Sequence, residues 1–142
     1  MKLGSLLKII ERNVSLLDGK VVELGVSGLL GDEFHLNSVL HILQTSSQAL
    51  IDLASHVIAE AGLGYVERYR DIPKVLYEAG VLSESEAALL RKIIGFRNVV
   101  VHGYTGVSVE IIRTILEEKR YRDIVLLAVK LAEWGYRAGI DP

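Results

Sequence analysis

Apolar residues recur at steps of three and four along almost the whole chain, and that spacing most narrows what it can fold into. Leu3, Leu6, Leu7, Ile10, Val14, Leu17, Val21 and Leu24 fall on one stripe of a long first helix. A glycine-bearing stretch, Gly25–Gly31, then turns the chain. The second long helix places Val39, Ile42, Leu43, Leu50, Leu53 and Val57 on one face, with Thr45, Ser46 and Ser47 interspersed. Gly62 and Gly64 end it, as glycine does just past a helix.

Tyr65–Pro73 is irregular and rich in Tyr and Arg, and Pro73 suits the first residue of a short helix. Ser83-Glu84-Ser85-Glu86 reads as a capping box, in which Ser83 accepts from the backbone while Glu86 reaches back. The helix it opens runs through Ala88, Leu89, Ile93 and Phe96 towards His102, where Gly103 and Gly106 interrupt it. From Ser108 one last helix carries Ile111, Ile112, Ile115, Tyr121, Ile124, Leu127 and Leu131 on its buried side. Val99–Val101 is the one β-branched run, and it sits inside a helical pattern. The expected fold is an all-α antiparallel bundle of about five helices, with residues 1–142 as one domain.

Composition excludes several functions. With no cysteine, thiol catalysis, iron–sulfur ligation and Cys-based zinc sites are ruled out. A formal net charge of -2 argues against gripping nucleic acid through bulk charge. The apolar fraction of 50% is high for a soluble monomer this small and suggests apolar surface shared between subunits. The greasiest runs, Val21–Leu30 and Ile124–Ala132, carry Glu23 and Lys130 and are too short to span a bilayer. Glu11, Arg12 and Asn13 cut short any signal-like run, so the expected location is cytoplasmic, away from membranes.

Phosphate-binding glycine loops, a Gly-x-Ser-x-Gly elbow and His-Glu-x-x-His are all missing. His56 and Glu60 lie one helical turn apart but lack a third metal ligand, and His35 and His41 show no partner pattern. What stands out is Arg97-Asn98-Val99-Val100-Val101-His102-Gly103-Tyr104. Asn98 and His102, four apart, share a helix face, and Arg97 lies on the neighbouring turn. Gly103 lets the backbone bend so that Tyr104 turns back beside the histidine. A permanently charged two-pronged donor, a group titrating near neutrality and a phenol thus share a small volume. An Arg-x4-His-x-Tyr spacing would arise in about one shuffled chain in a hundred. His102 alone reads equally well as a helix-terminal histidine near backbone carbonyls.

The segment Gly95–Tyr104 resembles the signature of HepT-like HEPN proteins, the toxin partners of minimal nucleotidyltransferase (MNT) antitoxins. Ala49–Glu60 is similar to that family's second helix, and Tyr69-Arg70-Asp71 through Gly80-Val81-Leu82 to its middle segment. The resemblance covers roughly residues 35–135 and departs at Gly103, where members often carry a larger polar residue. It implies an all-α homodimer that cleaves RNA without a metal or other cofactor, and an antitoxin that attaches adenylate to the motif tyrosine, here Tyr104.

The residues suit that chemistry. His102, with an ordinary pKa of about 6.5, serves as acid or base at neutral pH. Arg97 can hold two phosphate oxygens and stabilise charge as it develops, with Asn98 in support. A two-fold interface would bring a second histidine, giving separate acid and base. Arg68, Arg70, Lys74, Arg91 and Lys92 offer an RNA-backbone track, although a solvated face explains them more simply. Tyr65 and Tyr69 can stack on bases or cover the bundle. Asp52 and His56 fit structural hydrogen bonds, and Asp52 can also orient a motif side chain from across the bundle. The competing function is a non-catalytic HEPN partner, a substrate-binding subunit of a nucleotidyltransferase.

Overall fold

A computed structural model of the chain describes the backbone of residues 2–102 and 108–141, and the side chains of 2–100 and 108–141. Six α-helices lie among them: α1 Lys2–Leu30, α2 Glu33–Ala61, α3 Ile72–Glu78, α4 Glu84–His102, α5 Val109–Glu117 and α6 Arg122–Arg137. A 3₁₀ turn, Tyr69–Asp71, precedes α3.

The centre of the bundle is α2, which packs against α1, α3, α4 and α6. Its Leu50, Ile51, Leu53, Ala54 and Val57 are sealed from solvent. The core it anchors draws residues from all six helices, among them Leu3, Ile10, Ile72, Leu90, Leu116 and Leu127. Among the described residues no helix is long and apolar enough to cross a membrane.

Local signals place most element ends. Asp32 caps α2 by accepting from the His35 amide at 2.9 Å. Gly62 closes α2 in the left-handed region at φ 62°. Pro73 lies in the first turn of α3. The capping box at α4 forms as read: the Glu86 amide donates to Ser83 Oγ at 3.2 Å, and the Ser83 amide to Glu86 Oε1 at 2.8 Å. Glu86 also accepts twice from Lys130 Nζ, at 2.6 and 2.7 Å, tying α4 to α6.

Two expectations need correction. The first helix does not end at the glycine stretch: Gly25 (φ 74°, ψ 161°) kinks it, helical backbone resumes to Leu30, and the chain reverses at Gly31–Asp32. The expected last helix is two. Between α5 and α6 the chain turns through Glu118–Tyr121, with Lys119 at φ 54°, so the described residues hold six helices where about five were expected.

Three carboxylates titrate below their ordinary range. Asp18 is lowered chiefly by the Tyr121 hydroxyl, Glu86 by Lys130, and Asp141, which falls to about 2, by the Leu3 amide. In the unfolded chain such groups take up protons near pH 4, above their folded values. The stability they contribute is therefore present above about pH 4 and lost as pH falls through the folded values. We expect the urea midpoint to hold steady near pH 6 and to drop continuously from about pH 4 to pH 2. A midpoint unmoved at pH 3 would contradict this.

Candidate functional site

The last turns of α4 carry Arg97 and Asn98, with His102 as the helix's final residue. Arg97 Nη1 donates to Asn98 Oδ1 at 3.1 Å, and its guanidinium carbon stands 5.2 Å from the centre of the Tyr69 ring. Arg97 Nε is covered and has no hydrogen-bond partner among the described residues. The arginine opens on a cleft of about 440 Å³ between α1, α2 and α4. Leu6 and Ile9 of α1 form its apolar wall, and α2 supplies a polar one.

That polar wall follows from helical spacing: His41, Gln44, Thr45, Gln48 and Asp52 recur at steps of three and four and share a face. Gln48 Nε2 donates to Asp52 Oδ1 at 2.9 Å. An ionised carboxylate only accepts, so the contact fixes the amide and leaves Gln48 Oε1, buried and without a partner among the described residues, as an acceptor. At the other end His41 Nε2 lies 3.5 Å from Thr45 Oγ1. The cleft thus combines a permanent cation with spare donors, an unmet acceptor and an imidazole.

The sequence-based expectations divide. Arg97 and Asn98 come together, and Asp52 lies in the arginine's cleft, next to Gln48. His56 takes the structural role: its Nε2 lies 3.3 Å from Asp141 Oδ1, beside the contact that pins the Leu3 amide to the same carboxylate at 2.8 Å. The His102 side chain, Gly103 and Tyr104 lie outside the described residues.

The five basic candidates do not join the site. Arg68, Arg70, Lys74, Arg91 and Lys92 are exposed and none lines the Arg97 cleft. Lys74 sits 3.8 Å from Glu78, and Lys92 edges a separate apolar cavity of about 100 Å³ beside Phe96 and Tyr121. Conversely, His41, Gln44 and Gln48 line the cleft although no role was read for them. Their common helix face was the available signal.

A family model for ribonuclease HepT-like proteins matches residues 10–128, from the first helix into α6. The chain belongs to that family. The matched stretch contains Arg97, Asn98, His102 and Tyr104, so the resemblance carried by the motif extends across most of the HepT-like chain. A protein of Archaeoglobus fulgidus is 28% identical over 105 residues, covering 73% of this chain and 79% of its own length. The mRNA nuclease HepT of Shewanella oneidensis is 28% identical over 81 residues, 57% of this chain and 61% of the relative. Among solved structures, the tri-AMPylated Shewanella oneidensis HEPN toxin in complex with its MNT antitoxin superposes with a TM-score of 0.76 at 22% identity. That match covers 89% of this chain and 95% of the toxin, and supports the fold.

Proposed function

We propose that this HepT-like chain, acting as one domain and as a homodimer, is a metal-independent endoribonuclease toxin silenced by an MNT-type nucleotidyltransferase. The observation that carries the reading is Arg97, held on a cleft with donors to spare five residues before His102. The mRNA nuclease activity named for a curated relative and the AMPylated, antitoxin-bound state of a solved structure point the same way.

In the proposed reaction His102 of one protomer takes the proton of a ribose 2′-OH, and the oxygen attacks the adjacent phosphorus. The new 2′-O–P bond forms as the P–O5′ bond breaks, and the partner's histidine returns a proton to the leaving oxygen. Arg97 stabilises the charge gathering on the phosphorane oxygens, and Asn98 holds the arginine's fork from its edge. Adenylate on Tyr104 would place a nucleotide and a negative phosphate where RNA must pass, blocking and repelling the substrate. The proposed setting is the cytoplasm.

The test pairs two measurements. The chain made alone is assayed for RNA cleavage in EDTA, and the chain co-expressed with an MNT-type antitoxin is weighed intact. We expect cleavage by the unmodified chain alone, a mass gain in adenylate steps, and loss of that gain in Tyr104→Phe. A folded dimer with neither cleavage nor mass gain would favour a non-catalytic partner subunit.

A further inference from the structure

We propose that Tyr69 is a positioning residue for Arg97: its ring limits how far the arginine's fork can swing. The proposal rests on the ribonuclease reading of the cleft and adds a part that lies 28 residues away in sequence.

Two restraints meet on this guanidinium. Nη1 is tied to Asn98 Oδ1 at 3.1 Å. The guanidinium carbon also stands over the Tyr69 ring, 5.2 Å from its centre, inside the range where an arginine is attracted by an aromatic quadrupole. The hydrogen bond alone leaves the group free to swing about that bond, and the ring contact limits that swing. That matters because two-pronged binding of phosphate demands a planar match that a freely rotating arginine reaches only briefly.

The backbone that presents Tyr69 is itself fixed. Asp71 Oδ2 accepts from the Arg68 amide at 3.0 Å, and the Asp71 amide donates to the Arg68 carbonyl at 2.9 Å, closing the 3₁₀ turn around Tyr69. Pro73 then starts α3, whose Ile72 and Leu76 are buried in the core. The turn is thereby anchored on both sides and packs against α4. Tyr65 makes an instructive contrast: it is 81% exposed, against 39% for Tyr69. Of the two tyrosines considered for base stacking, Tyr65 retains the freer ring and Tyr69 is engaged with the arginine.

The test compares Tyr69→Leu, which removes the ring, with Tyr69→Phe, which keeps it. Each is assayed as full-length chain on a fluorescein-labelled RNA oligonucleotide, and each is observed by NMR at the Arg97 Nε–Hε resonance, which a nearby ring shifts. We expect Tyr69→Leu to lower kcat about tenfold with KM within about twofold, and Tyr69→Phe to stay within about twofold of the parent. The Arg97 resonance should move in the leucine variant and hold in the phenylalanine variant. Unchanged kcat in Tyr69→Leu, or a loss confined to KM, would overturn the proposal, the second result indicating direct base stacking. Equal losses in both variants would also overturn it. If the parent chain cleaves no RNA, the ribonuclease reading fails by itself and the resonance decides alone: movement in Tyr69→Leu retains the positioning role, and no movement ends it.

Discussion

Replacing Arg97 with alanine is expected to slow RNA cleavage by about a thousandfold, with helical content unchanged. The magnitude follows from where the charge is needed. Attack of a ribose oxygen on a phosphodiester concentrates negative charge on the non-bridging oxygens only as the new bond forms. A preplaced cation therefore acts on the transition state far more than on bound RNA. Arg97 is the permanent cation lining its cleft, so the loss has no stand-in among the described neighbours there. Arg97→Lys should recover only a minor part, because a lysine restores charge without the two-pronged planar match. The fold should tolerate both changes, since the half-buried Arg97 bonds its chain neighbour Asn98 and, among the described residues, no core residue. Cleavage within tenfold of the parent in Arg97→Ala, at equal circular dichroism, would sink the proposed chemistry.

The elements that could be read from sequence are those whose causes are local. The stripe from Leu3 to Leu17, the glycine stop at Gly62, Pro73 and the Ser83–Glu86 box each depend on residues within a few positions, and each is found where it was read. The break between α5 and α6 carries no such mark. Glu117, Glu118, Lys119 and Arg120 are good helix formers, the apolar spacing continues through them, and a lysine takes the left-handed conformation that normally goes to glycine. The cause is remote: Tyr121 is buried in the core and its hydroxyl bonds Asp18 on α1.

The site divides along the same line. Arg97, Asn98 and His102 form a contiguous motif and announce themselves. The wall that faces Arg97 is built from α2, and Tyr69 arrives from a turn before α3, so neither is visible until the bundle has brought separate segments together. The α2 wall still left a trace in the chain, since polar residues at 41, 44, 45, 48 and 52 form a stripe that a wholly buried central helix would not carry.

The break before α6 also locates the largest stability effect we anticipate: Asp18→Ala should destabilise the fold by about 2 kcal/mol at pH 7. Lys119 and Arg120 donate to the Leu116 and Ile115 carbonyls at 3.3 and 2.9 Å and turn the chain. Tyr121 then drops into the core, where it is 1% exposed and donates its hydroxyl to Asp18 Oδ1 on α1. Arg122 Nη2 and Nε reach the other carboxylate oxygen at 2.8 and 3.1 Å. Burial, then Asp18, push the phenol up to about 12, so it stays a donor at any working pH. Truncating Asp18 leaves that buried hydroxyl with nothing to bond, which is the main cost. The Arg122 pair is half in solvent and adds little. Asp18→Asn, which keeps an acceptor, should lose about half as much, and Tyr121→Phe, which removes the need for one, should also be milder. Urea unfolding of the three variants measures the order directly. The sign with pH follows from Asp18's lowered titration: its contribution is complete above about pH 4 and fades as pH falls through the folded value. The gap between parent and Asp18→Ala should therefore narrow towards pH 2. A gap below about 0.5 kcal/mol at pH 7, or one that widens in acid, would show that the contact does not hold α6 onto α1.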